Sequence, residues 1–333
     1  MKTHFFRYEL VPWGPLGSIA SAQSRHGSLL KVQFIDGTCG YADCLPWPEL
    51  GDLPLDVQLR LWREGHFTEL MKRSLHFAQV DARARSAGKS LWTQLEIPLS
   101  HALITDLRQL TPDGLSLLSE QGFTHLKVKV GVRPLDEAKW LLELDNFLKR
   151  FHLKVRLDFN SALSFEAFQL FMETLGPVRE QIDFIEDPTL YHPAFWAEAQ
   201  VRWGVRLALD RLSGVPLVPG SFSVLVHKPA IQESEWAVRI AHELSVSLVV
   251  TSYLDHPVGQ LSAAMAAAKI AKQKSKCLEV CGLISQFAYQ PHLFSQQLKT
   301  HGPHFIPPEG TGFGMDGLLV DLPWKELSYE DSE

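Results

Sequence analysis

The chain has 333 residues, of which 45% are apolar and 21% charged, and its formal net charge is −6. This is the make-up of a globular chain with a sizeable core, and no basic stripe interleaved with aromatics marks it for nucleic acid. Charged residues or Pro break every long apolar run, and the opening MKTHFFRYELVPWGP lacks the apolar centre of a signal peptide, so a cytoplasmic protein without membrane spans is expected.

Residues 4–12 and 27–35 read as strands, and Asp36–Gly37–Thr38 as a hairpin turn continuing into the strand CGYADC. A Pro-rich loop, Cys44 to Pro54, precedes helical stretches near 54–63 and 66–87. The cysteine spacings, CxxxxC at Cys39/Cys44 and CxxxC at Cys277/Cys281, differ from the CxxC of zinc sites and read as buried free thiols. The fourteen His show no HxxxH or HxH spacing.

From about residue 97 the pattern changes. Eight short apolar runs (IPLSHALI, THLKVKV, LKVRLDF, IDFIED, VRLALD, SVLVHK, VSLVVTS and CLEVC) alternate with mostly helix-length segments such as LDEAKWLLELDNFLKRF. Parallel strands need long, usually helical crossovers, so the pattern predicts a βα barrel. A doubly wound open sheet is the rival, weakened because no glycine-rich phosphate loop follows the early strands. MAAAKIAKQKSK reads as a barrel helix whose basic end suits its dipole. Beyond 285 the chain ends in the turn-rich PEGTGFGMDGLLV.

In THLKVKVG, Leu126, Val128 and Val130 alternate with Lys127 and Lys129, which taken alone describes a half-exposed strand with a solvated lysine face. The later runs change that reading, because they end at Asp158, Glu186, Asp210 and Lys228, at steps of 29, 28, 24 and 18 residues from Lys129. In a parallel barrel these ends converge on one mouth. Three carboxylates there call for a hard divalent cation, with Mg²⁺ favoured and Mn²⁺ an alternative. Lys127 and Lys129 face Lys228 across the ring, four strands away. The layout suits removal of a proton α to a carboxylate, with lysines whose pKa is lowered by neighbouring cations serving as bases.

At this point the sequence resembles the enolase superfamily, in its muconate-lactonising branch. The matching motifs are Lys127-x-Lys129, RLDFN (Arg156, Asp158, Asn160), FIEDP (Glu186), LALD (Asp210) and VHKP (Lys228). SAGKSLWTQL, IPLSHALI, TSYLDHPVG and GTGFGMD sit where the family has similar stretches. The resemblance implies an α/β fold, a modified (β/α)7β TIM barrel with an α+β capping domain. Residues 1–95 would form the cap, 96–285 the barrel, and 286–333 a tail returning to the cap. The loops LGSIASAQSRHG and CLPWPELGD would lie over the active site. Asp158, Glu186 and Asp210 would bind the metal, Lys129 would be the main base with Lys127 its modulator, and Lys228 the opposite base or cation.

Within the branch the chain is most similar to the o-succinylbenzoate synthases, on Lys228–Pro229, Arg156 two residues before Asp158, and the compact length. That similarity implies a small carboxylate substrate, syn β-elimination of water and a place in menaquinone biosynthesis. Arg156, Asn160, Ser252 and Gly282 are the implied substrate contacts, while the departures at Tyr253 and Asp255 bear on contacts by Thr251 or Ser252. N-Acylamino acid racemase and muconate cycloisomerase chemistry share the lysines. LEVCGLIS lacks the Asp-x-Asp of dipeptide epimerases, and its Glu279 reads as an interior barrel residue. A Schiff-base aldolase, which the carboxylate arc disfavours, and a non-catalytic barrel protein are the readings from other classes. Oligomeric state is left open.

Overall fold

The computed structural model describes residues 1–18, 22–210, 216–273 and 275–328. β1 (Lys2–Leu10) and β2 (Arg25–Gln33) pair antiparallel, with Leu10 opposite Arg25, and β3 (Cys39–Cys44) joins the free side of β2. Both long strands lie two residues earlier than the alternation predicts. The chain leaves β1 just before Pro12, which has no N–H to give a ladder. α1 (Leu55–Arg63) and α2 (Glu69–Ser86) follow, and the Thr68 hydroxyl caps α2 by accepting from the Met71 N–H.

The barrel then unrolls in order: β4 (Ala102–Ile104), α3 (Pro112–Glu120), β5 (His125–Lys129), α4 (Pro134–Arg150), β6 (Lys154–Asp158), α5 (Phe165–Leu175), β7 (Ile182–Glu186), α6 (Pro193–Trp203), β8 (Leu207–Leu209), β9 (Val224–His227), α7 (Ser234–Leu244), β10 (Ser247–Val250) and α8 (Pro257–Lys272). Its seven strands form one parallel sheet in sequence order. β8 and β9 are joined without a helix among the described residues. The eighth predicted run, CLEVC, forms no ladder. Instead residues 277–282 bond alternately to the two edges. Glu279 N–H donates to Leu248 O and Gly282 N–H to Val250 O, while Cys281 N–H donates to Leu99 O and His101 N–H to Cys281 O. The ring is therefore closed by single bridges.

Period-2 alternation sends every second strand residue inward. Phe184, Ala208, Val224, Val226 and Val249 pack inside the ring, while the intervening residues pack beneath the helices. Polar pairs seal the lower end: Arg156 Nε bonds Asp183 at 2.7 Å, Arg206 also grips Asp183, and Arg206 Nη1 meets Glu279 at 2.6 Å.

The tail adds a hairpin of β11 (Lys299–His301) and β12 (His304–Ile306), then α9 (Asp316–Val320) and β13 (Lys325–Glu326), which pairs with β1 at His4 and Phe5. The four cysteines are free. No helix among the described residues is long and apolar enough to cross a membrane.

Several hydrogen bonds hold the N-terminal sheet and its helices over the barrel. Tyr8 Oη donates to Asp43 (2.5 Å), whose other oxygen accepts from the His256 N–H (3.1 Å). Arg73 Nε of α2 donates to Pro229 O, next to Lys228, at 3.0 Å. Trp47 Nε1 donates to Tyr253 O, and Tyr253 Oη donates to Asp52.

Candidate active site

The strand ends bring six charged side chains to one mouth. Parallel register sets Lys129 opposite Asp158 and Asp158 opposite Glu186. Lys127 is only 5% exposed, so it belongs to the barrel interior and not to a solvated face. Its Nζ lies 2.7 Å from both Glu186 oxygens and 2.9 Å from Asp158 Oδ2. Lys129 Nζ is 2.5 Å from the same Asp158 oxygen, and Lys228 pairs with Asp210. Lys228 Nζ also stands 5.7 Å from the centre of the Tyr253 ring.

These pairings set the protonation pattern. Burial works against the Lys127 ammonium, but Asp158 and Glu186 outweigh it and raise its pKa. Lys129 moves the other way, lowered by burial and by the charge of Lys127 against the pull of Asp158. Asp158 is held well below the usual carboxylate range because two ammoniums overcome its burial. Glu186 is pushed up to about 7 by burial and by the charge of Asp158. Asp187, not singled out in the sequence, accepts the Asp210 N–H at 3.2 Å and so helps fix that carboxylate. Burial, then Asp210 and Glu186, raise its own carboxyl well above the ordinary value.

The three carboxylates are hard oxygen donors on adjacent strands, the donor chemistry that suits Mg²⁺. Asp158 and Glu186 already close on one cation, the Lys127 ammonium. Among the described residues no three acidic, His or Cys side chains converge on a single point. Seating one ion on all three carboxylates therefore requires Lys127 and Lys228 to swing aside. The donor set fits the ion, and the amines compete for it.

A cavity of about 60 Å³ opens above, lined by Lys127, Lys129, Lys228, Asn160, Ser252 and Gly282 among others. Gly17 lies over it, so close that a Cβ there would stand 2.9 Å from Asn160 Nδ2. The adjacent Ser18 hydroxyl donates to Phe159 O at 2.8 Å. Residues 19–21 of the same predicted covering loop lie outside the described residues.

One expected contact, Arg156, needs correction, and the backbone of a second, Gly282, is already engaged. Arg156 does not line the cavity. It sits two residues below Asp158 on the same strand face, roughly 6–7 Å deeper. There it is fully buried, bonded to Asp183 and Val280 O, with the Phe184 ring against its guanidinium. Gly282 does line the cavity, but its N–H is committed to Val250 O and its carbonyl accepts from Ser252 N–H. Its backbone closes the barrel, and its N–H is not free for a substrate. Ser252 bonds Ser285 at 2.7 Å within the lining.

The sequence reading missed His101 and Ser285, which line the cavity, whereas Trp47 and Leu50, also in the lining, belong to the loop CLPWPELGD expected over the site. For His101 a signal existed: it is a polar residue inside the apolar run IPLSHALI, in step with the cavity-lining Leu103.

Residues 3–84 match the family model for the N-terminal domain of O-succinylbenzoate synthase. An o-succinylbenzoate synthase from Bdellovibrio bacteriovorus is 34% identical over 332 residues, covering 98% of this chain and 99% of that one. Among solved structures, muconate lactonizing enzyme from Pseudomonas fluorescens, complexed with muconolactone, has a TM-score of 0.73 at 16% identity, over 94% of this chain and 95% of that one. A dipeptide epimerase from Enterococcus faecalis, complexed with Mg and a dipeptide, also has a TM-score of 0.73, at 14% identity over 94% and 98%. At these identities the structural likeness establishes the shared capped-barrel fold.

Proposed function

Because the chain belongs to the o-succinylbenzoate synthase family, we propose that its mouth removes a proton α to a carboxylate and then expels hydroxide as water, forming 2-succinylbenzoate. The enzyme is then a carbon–oxygen lyase acting on a succinyl-substituted hydroxycyclohexadiene carboxylate. The observation that carries the reading is the ring of three acids interleaved with three amines at the barrel mouth.

Lys129 is the base. Burial and the neighbouring Lys127 charge favour its neutral amine, which takes the α-proton. The ammonium so formed gives that proton to the departing hydroxyl on the same face, which is the syn course. Lys228 faces Lys129 across the ring and steadies the negative charge gathering on the substrate carboxylate. Before an ion is seated, Lys127 pairs with Asp158 and Glu186, and its charge biases Lys129 toward its neutral form. Asp158, Glu186 and Asp210 would hold Mg²⁺, with Mn²⁺ an alternative. When bound, that ion supplies Lewis-acid stabilisation of the developing negative charge. Asn160 and Ser252 contribute polar contacts from the lining. The menaquinone route and the cytoplasm are the proposed setting, with residues 1–95 and the tail from 286 as the proposed cap on a barrel of 96–285.

Two amines facing each other across the ring also support a second reading, racemisation of N-acylamino acids by proton removal on one face and return on the other. The test follows 2-succinylbenzoate formation spectrophotometrically beside N-succinylamino acid racemisation, each with Mg²⁺ and with EDTA. Turnover of the diene that EDTA abolishes is the expected outcome. Racemisation without dehydration would replace the lyase reading.

A further inference from the structure

His101 is 3% exposed and forms part of the cavity floor. Arg156 lies beneath it, with Nη1 3.1 Å from His101 Nδ1. A guanidinium only donates, so Nδ1 must accept, and the ring proton of a neutral imidazole then sits on Nε2. The neutral form is also the one favoured here, since burial and then the charges of Arg156 and Lys127 take its pKa well below the ordinary value. The hydrogen bond the structure shows for the ring is the one at Nδ1, and His101 lines the cavity, where Nε2 is the ring nitrogen left to meet a ligand. The edge bearing Nε2 lies against Gly282, where a Cβ would come within 2.5 Å of the ring. Beside it, the Thr251 hydroxyl is 5% exposed and lacks a partner among the described residues, although it lines the same cavity. A buried hydroxyl left unpaired, beside an imidazole whose second nitrogen shows no bond among the described residues, marks a place where a ligand completes the hydrogen bonding.

We infer that His101 is a substrate-binding residue whose Nε2–H donates to a carboxylate or ketone oxygen of the substrate, with Arg156 as the positioning residue that fixes the tautomer. This rests on the lyase reading above. It also gives Arg156 a part in recognition without contact: the side chain acts through the imidazole. A lysine in the place of His101 would add a fourth ammonium to the mouth, whereas a neutral donor leaves the balance of acids and amines unchanged.

The test pairs steady-state kinetics of His101→Asn and His101→Gln with ¹⁵N NMR of histidine-labelled wild-type protein. Asn offers an oxygen to Arg156 but has nothing at the Nε2 position, and Gln extends an amide N–H toward that position. Loss of a hydrogen bond to a charged oxygen predicts that His101→Asn raises KM about 10- to 100-fold with kcat within a few-fold of wild type. His101→Gln should recover most of that loss. The NMR spectrum should report the neutral Nε2–H tautomer, with its Nε2 signal shifting when 2-succinylbenzoate is added. An unchanged KM in a folded, active His101→Asn would overturn the inference alone, as would an Nδ1–H tautomer or an imidazolium in the wild type, which decides the matter even if a variant does not fold. A wild-type enzyme inert on the diene would overturn the lyase reading and this inference with it.

Discussion

Lys127→Met removes one ammonium and keeps the length of the side chain. In the structure that ammonium makes three contacts at 2.7–2.9 Å, two to Glu186 and one to Asp158, at a site 5% exposed. Its loss leaves Glu186 without a direct counter-charge and Asp158 with Lys129 alone. Breaking a buried pair by deleting one partner costs about 3–5 kcal/mol. The expected loss has that size, measured by urea unfolding in EDTA. The sign of its pH dependence follows from Glu186, already raised to about 7 and set higher still without Lys127. A carboxyl whose folded pKa exceeds its unfolded value contributes stability at low pH that disappears as pH rises through the folded value. The deficit should therefore be larger at alkaline than at mildly acidic pH. Mg²⁺ should restore stability, by about 2.7 kcal/mol at a hundredfold excess over its Kd. A loss below about 1 kcal/mol, the scale of a solvent-exposed ion pair, would refute the reasoning.

Lys129→Ala should lower kcat by about 10²–10⁴-fold with the fold intact by circular dichroism, because it removes the positioned base; near-normal turnover would take Lys129 out of that role. Gly282→Ala should cost about 1–3 kcal/mol in thermal unfolding, since its methyl meets a His101 ring pinned by Arg156, and adding His101→Ala should relieve part of the loss. His227 is fully buried between Gln232 and Ser234, and burial lowers its pKa to about 4. A depressed imidazole gives stability that is whole above its unfolded value of 6.5 and is lost as pH falls toward 4, about 3 kcal/mol in all. His227→Gln should flatten that acid limb in urea titrations, and an unchanged slope would remove His227 as its source.

The order of the barrel strands is legible because each crossover is long enough to require a parallel neighbour. Sequence order is therefore spatial order, and Lys127, Lys129, Asp158, Glu186, Asp210 and Lys228 do meet at one mouth. Depth along a strand is less legible. Arg156 and Asp158 share a face, yet the first belongs to the floor network and the second to the mouth. Alternation reports the face and carries no information about the level. Bonds between distant segments leave no local trace either. The commitment of the Gly282 N–H to Val250, and the approach of the Arg156 guanidinium to His101, depend on ring closure by residues 277–282. That closing segment reads as an ordinary strand because its apolar run is strand-like. Only its split bonding to two edges marks it as a clasp.

The first and last strands of the roof are partners, β1 with β13 at His4 and Phe5. A ribosome that has delivered every barrel strand still leaves β1 without its outer neighbour until residues 325 and 326 emerge. The roof thus reaches its final width only after β13 has followed the barrel strands out, and the nascent mouth stays more loosely covered until then. For engineering, the same adjacency makes β1 and β13 a natural seam between the two parts of the roof.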